Sequence, residues 1–155
     1  MDATIYRQLV GSLMYLVNTQ PNIYYAINQI SQAMAKPTKL FWKAGNHVLR
    51  YLRGTSGYGL WYRHSDELKL HGFTDVDWAG SPMDRKSTSG GIFSIGSTTV
   101  SWYGRKQRSM ALSSAEAEYV AASLATCEAI WMRKILVGLF DSHLDPTMIY
   151  FDNQS

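Results

Sequence analysis

Leu68–Trp78, LKLHGFTDVDW, is the stretch on which the fold of this chain turns. It reads as a β-strand bounded by turn residues. Residues two apart in a strand share a face, so Asp75 and Asp77 point the same way, about 7 Å apart. Aspartate is unfavourable in strands. Two on one face therefore call for a shared cation or for a strand end that opens to solvent. The alternative is a strand that stops at Thr74, with both aspartates in a turn.

Outward from this stretch, Gly91–Ile95 (GIFSI) and Thr98–Tyr103 (TTVSWY) read as further strands, with Gly96-Ser97 as a two-residue hairpin link. Met83–Ser89 (MDRKSTS) reads as a polar loop, and the short Tyr58–Tyr62 segment as a further candidate strand. A helix is expected from about Ser114 to Phe140, and a last short strand at Thr147–Phe151. Strands, a helix and another strand predict an α/β organisation with a mixed sheet.

The first third of the chain is helical in pattern. Ile5, Leu9, Leu13 and Leu16 follow helical spacing up to the break at Pro21. Ile23, Ala26, Ile27, Ile30 and Met34 repeat the pattern before Pro37. Thr38 caps a third helix with Leu40, Ala44, Val48, Tyr51 and Leu52 on its apolar side and Gly54 after its last turn. Lys39, Lys43, Arg50 and Arg53 fall within about 80° of one another on that helix. Such a stripe suits a row of phosphates, and it equally suits the solvated face of an amphipathic helix.

Composition narrows the function classes. Of 155 residues, 46% are hydrophobic and 17% charged, enough for a core and too apolar for a disordered chain. One cysteine, Cys127, excludes a disulfide scaffold and a Cys-rich zinc site, and its wheel position opposite Glu118 makes it a small packing residue. No uninterrupted apolar run reaches 18 residues and the N-terminus lacks a basic leader, so no membrane span or signal peptide is expected. The net charge of +3 is uneven: residues 1–64 carry seven Lys/Arg and one acid, residues 65–155 eight Lys/Arg and eleven acids.

The helix at Ser113–Tyr119 (SSAEAEY) holds two inequivalent glutamates. Ser113 and Glu116 have capping-box spacing, which accounts for Glu116. Glu118 has no such duty, and Ala111, Ala115, Ala122, Ala125 and Ala129 lie within about 60° of it on a helical wheel. A carboxylate amid an alanine face is costly unless it meets a cation or donors. Asp152 follows an apolar strand, where α/β sheets build sites and where turns also occur. Three carboxylates form an all-oxygen set suited to Mg²⁺ or Mn²⁺. His47, His64, His71 and His143 show no ligand spacing, and no P-loop or Ser-His-Asp arrangement is present.

These segments carry a resemblance. YRQ and LVGSLMYL (6–16), VLRYLRGT (48–55), FTDVDWAG (73–80), DRKSTSGG (84–91), SW-x-x-RKQ (101–107), SSAEAEY (113–119) and YFDNQS (150–155) appear in one ordered series. The chain resembles the ribonuclease H region of copia-type retrotransposon Pol polyproteins, with the stretch that joins it to the reverse transcriptase. The resemblance implies a ribonuclease H-like mixed sheet with flanking helices over 57–155, preceded by a small helical, thumb-like segment over 1–56. It implies hydrolysis of the RNA strand of RNA–DNA hybrids, with two Mg²⁺ (or Mn²⁺) held by Asp75, Glu118 and Asp152. Implied partners are nucleic acid, met by Lys39, Lys43, Arg50 and Arg53, and the adjoining reverse transcriptase, in an intracellular setting, cytoplasmic or nuclear. Gln20-Pro21-Asn22-Ile23 stands where the family has Arg-Pro-Asp-Ile. The family's fifth strand, fourth carboxylate and C-terminal helix are expected to be missing. That shortfall motivates an alternative: a truncated, inactive, host-adopted copy serving as a nucleic-acid-binding or effector-like interaction module.

Overall fold

The computed structural model describes residues 2–63, 69–81, 84–141 and 144–151. Leu68, Met83, His64, His143 and Asp152 lie outside the described residues. The chain divides into two compact units, Met1–Leu60 and Trp61–Ser155.

The first unit is helical. Asp2 caps α1 (Ala3–Leu16), its Oδ1 accepting from the Thr4 N–H at 2.8 Å. A 3₁₀ turn opened by Pro21 leads into α2 (Tyr24–Ser31), and Thr38 caps α3 (Lys39–Gly54). Tyr6, Val10, Leu13 and Val17 of the first helix and the turn after it bury against Ile23, Ile27, Ile30 and Val48. The buried Tyr6 phenol donates to the Ile30 carbonyl at 2.6 Å, and burial pushes its pKa up. The inward arc is offset from the one that apolar spacing predicts: Ile5 is exposed, as are Leu40 and Tyr51 on α3. Tyr6, Phe41 and Trp42 take the inward positions instead, their large rings filling the core while the Tyr6 hydroxyl finds its partner in the Ile30 carbonyl. Gly45 lets α3 approach α1, since a Cβ there would come within 3.1 Å of Leu9.

The second unit is a four-stranded mixed sheet with one long helix. Its strands are β1 (Leu70–Asp77), β2 (Thr88–Ile95), β3 (Thr98–Lys106) and β4 (Met148–Phe151), in the order β3-β2-β1-β4. β1 continues through both Asp75 and Asp77, so the turn alternative fails. Thr88 and Ser89 belong to β2, where the sequence predicts a polar loop, and Tyr58–Tyr62 forms no strand. Gly96, at φ 57°, makes the β2–β3 hairpin in a left-handed conformation that glycine adopts freely. The helix α4 (Ser114–Phe140) crosses over and delivers β4 parallel to β1.

One face of this sheet is packed. Leu70, Phe93, Tyr103 and Ile149 meet Ala125, Ala129, Met132 and Leu136 of α4, joined by Leu144. Gly72 leaves the space that the Phe93 ring fills, and Gly91 the space of the Tyr103 ring. Arg133 of α4 ties down the approach to β4: its guanidinium donates to the Leu144 carbonyl at 2.9 Å, to the Thr147 hydroxyl at 3.1 Å and to the Asp145 carbonyl. The other face carries Phe73, Ile92, Met148 and Tyr150, all about half exposed, with Phe73 and Tyr150 stacked at 5.1 Å. Cys127 is exposed and stands outside the core, since the buried stripe of α4 runs along Ala117, Ala121, Ala125 and Ala129. No described helix is long and apolar enough to cross a membrane.

Two glycines test this packing in opposite directions. Gly91→Ala drives a methyl group into the Tyr103 ring and is expected to destabilise the second unit by about 1–3 kcal/mol. Gly11→Ala, inside α1 with open space around it, is expected to stabilise the first unit by about 0.5–1 kcal/mol. Denaturant titration of both variants checks the pair; equal shifts would contradict the packing described.

Candidate functional site

The site is built at the end of the sheet where β1 runs out. Asp75 pairs with Gly90 and Asp77 with Thr88 across β1 and β2. Alternation along β1 sets Leu70, Gly72 and Thr74 inward and Phe73, Asp75 and Asp77 outward, and both aspartates are exposed. The Asp75 carboxylate turns back on its own strand, Oδ1 accepting from the Val76 N–H at 2.7 Å. The Asp77 carboxylate occupies the space a side chain at Gly80 would need, and the chain turns there through Ala79 at φ 53°.

The loop that follows is fixed by polar contacts. Ala79 N–H donates to the buried Ser87 hydroxyl at 3.1 Å, and Lys106 of β3 reaches both the Ser81 hydroxyl and the Asp84 carboxylate at 2.9 Å. The Ser81 hydroxyl and then the Lys106 ammonium hold the Asp84 carboxyl down at about 2, so this anchor stays ionised at any pH above that value.

On α4 the two glutamates separate by role. Glu116 accepts from the Leu112 N–H at 2.7 Å, while its own N–H donates to the Ser113 hydroxyl at 3.2 Å. It belongs to the helix cap, reaching one residue further back than the usual box. Glu118 is half-buried on the flank of the stripe led by Ala117, and Ala115 beside it is exposed. The buried positions of α4 centre about 30–40° from Glu118 on the wheel, so the wheel finds the right side of the helix. Asp75 and Glu118 occupy the same end of the sheet, Asp75 on the outward face and Glu118 on the helix that covers the inward one.

Asp152 lies outside the described residues, and β4 ends at Phe151 in parallel register with Thr74. Among the described residues no three His, Cys, Asp or Glu side chains gather into a metal cluster. Asp75 and Glu118 nonetheless fit a hard divalent ion in donor chemistry, being carboxylates with no imidazole or thiolate among them. His47 is exposed, and His71 packs edge-on to Phe73 at 5.7 Å.

The basic stripe is in the first unit. Lys39, Lys43, Arg50 and Arg53 are all exposed, on the side of α3 opposite Phe41 and Val48.

Sequence reasoning missed a buried polar belt beneath α4. Thr74, Ser87, Ser89 and Gln107 are all at least nine-tenths buried. The Gln107 amide donates to the Ser89 hydroxyl and to the Ala117 carbonyl, both at 2.9 Å, and its backbone N–H to the Ser87 carbonyl at 2.8 Å. Gln107 Oε1 has no hydrogen-bond partner among the described residues, and burial pushes the Tyr103 phenol up. The signal was available: Tyr103, Arg105 and Gln107 share strand parity, which carries Gln107 inward.

No family model matches the chain, and no solved structure matches it significantly. It is 41% identical over 152 residues, 98% of its length, to the retrovirus-related Pol polyprotein from transposon RE2 of Arabidopsis thaliana. It is 41% identical over 151 residues to that from transposon TNT 1-94 of Nicotiana tabacum. The chain spans about a tenth of the length of these polyproteins. It is 45% identical over 128 residues to secreted RxLR effector protein 161 of Plasmopara viticola, covering 82% of this chain and 90% of that protein. The chain thus belongs to the retrotransposon-derived family formed by this region of retrovirus-related Pol polyproteins and by the short proteins that share it.

Proposed function

We propose that the chain is a ribonuclease H-like segment of a retrotransposon Pol polyprotein, cleaving the RNA strand of RNA–DNA hybrids during reverse transcription beside an adjoining reverse transcriptase. The observation that carries this reading is the parallel register Thr74↔Phe151: the residues immediately before Asp75 and Asp152 are cross-strand neighbours. Parallel strands end on the same side of a sheet, where α/β folds build their sites. Glu118, half-buried on the crossover helix and outside the helix cap, is the third carboxylate of this reading.

Bound to these carboxylates, Mg²⁺ or Mn²⁺ supplies an activated water and charge stabilisation at the leaving oxygen. Asp75 stands on an exposed strand end, so a phosphodiester reaches it without a lid. Beyond Asp77, Lys106 of β3 bonds both the Ser81 hydroxyl and the Asp84 carboxylate. Across from its apolar side, α3 presents four cations that track hybrid phosphates irrespective of sequence.

The effector-named relative, nine-tenths covered by this chain, supports a second reading: a compact module that binds nucleic acid or a protein without cleaving. One assay separates the two. The purified chain with Mg²⁺ or Mn²⁺ is expected to cut a labelled RNA–DNA hybrid, and EDTA to stop it. Asp75→Asn and Glu118→Gln are each expected to lower kcat by about a hundredfold or more, the scale of losing a group that stabilises transition-state charge. Binding with no divalent-dependent cleavage selects the second reading, and cleavage surviving both substitutions overturns the site. Converting Lys39, Lys43, Arg50 and Arg53 to Gln is expected to weaken hybrid binding uniformly across sequences. It should also flatten the plot of log K against log salt by about one unit for each phosphate no longer neutralised. An unchanged salt slope would leave the stripe as a solvated face.

A further inference from the structure

Gln107 is 4% exposed and follows the last residue of β3. Both protons of its amide are committed, one to Ser89 on β2 and one to the carbonyl of Ala117 in the first turns of α4. A backbone carbonyl only accepts, so this contact fixes which end of the amide faces the helix. The other end, Oε1, is buried without a partner among the described residues. An unsatisfied buried acceptor costs free energy, whereas an apolar side chain of similar volume would fill the site without that cost. Stability alone therefore does not account for a glutamine here.

Its position does. Ser89 stands opposite Val76 in the β1–β2 ladder, one residue along from the Asp75–Gly90 pair, and Ala117 directly precedes Glu118. A chain of two hydrogen bonds therefore runs from the strand beside Asp75 to the peptide that carries Glu118. The later turns of α4 are held by Met132 and Leu136 in the core, by Glu128 on Ser101 and by Arg133 on the approach to β4, whereas its first turns meet the sheet through the small side chains of Ala117 and Ala121. The directional contact from Gln107 lies at those first turns.

We infer that Gln107 is a positioning residue, which sets the rotation and height of the first turns of α4, and so the placement of the Glu118 carboxylate relative to Asp75. The inference rests on the reading of Asp75 and Glu118 as metal-binding carboxylates, so its test begins with the metal alone. Mn²⁺ binding to the full chain, measured by calorimetry or by the resonance of free Mn²⁺, is expected for the wild type and lost in Glu118→Gln. Gln107→Met, close in volume and without the orphan acceptor, should weaken Mn²⁺ about tenfold, the lower end for losing a residue that orients a metal ligand. Amide exchange in the first turns of α4 should accelerate while that of β1 and β2 stays slow. Ser89→Ala should give a smaller loss in the same direction, and the double variant should be no worse than Gln107→Met, because both act through one amide. In the hybrid assay Gln107→Met should lower kcat and raise the Mg²⁺ needed for half-maximal rate, with KM for hybrid unchanged. Wild-type protein that binds no Mn²⁺ overturns the metal reading and the inference with it. Wild-type binding that Gln107→Met and Ser89→Ala both leave intact overturns the positioning role alone. Should Gln107→Met fail to fold, Ser89→Ala decides in its place.

Discussion

The approach of one helix to one sheet governs the second unit. Ala117, Ala121, Ala125 and Ala129 give α4 a nearly flat side, and Gly72 and Gly91 leave recesses into which the Phe93 and Tyr103 rings lie down instead of standing up against the helix. Small residues on both partners bring the backbones close, and dense contact then compensates for the little apolar area each alanine buries. That closeness has a consequence for polar groups. Thr74, Ser87, Ser89 and Gln107 are sealed under the helix start, so each must find its partner inside the protein. The belt nearly succeeds, and the acceptor it leaves over lies beside the candidate site.

Much of this is legible in the residues. The start of α4 is readable because capping-box spacing at Ser113 and Glu116 marks it. The hairpin is readable because Gly96 is one of few residues that adopt its turn without strain. Glu116 and Glu118 can be told apart because capping-box spacing singles out Glu116 for the helix start. The failures share a cause as well. Apolar spacing assigns Ile5, Leu40 and Tyr51 inward, yet a helical wheel fixes only relative angles, and tertiary neighbours choose which arc turns in. In α1 that choice goes to Tyr6, whose hydroxyl reaches the Ile30 carbonyl, a long-range contact invisible to spacing. The buried glutamine escapes notice because polar residues after a strand read as loop, and only the strand's parity continued past Lys106 shows otherwise.

The charge asymmetry of the sequence acquires a structural meaning unit by unit. In the first unit the excess cations of α3 stand opposite the core, where they bear no load in folding and act at long range under salt control. In the second unit the acids are not one population. Asp84 holds a loop, Glu116 holds a helix start, and Glu128 meets the Ser101 hydroxyl at 3.2 Å. Asp75 and Glu118 stand outside both the loop anchor and the helix cap, at the sheet end where β1 runs out.

The described part of the second unit is covered on one side only. Across the outward face Trp102, Ile92, Phe73 and Tyr150 form a row from β3 to β4, register partner beside register partner. A largely antiparallel sheet can leave one face to solvent, although a row of large apolar side chains there is less usual. An apolar row of this kind in water favours association.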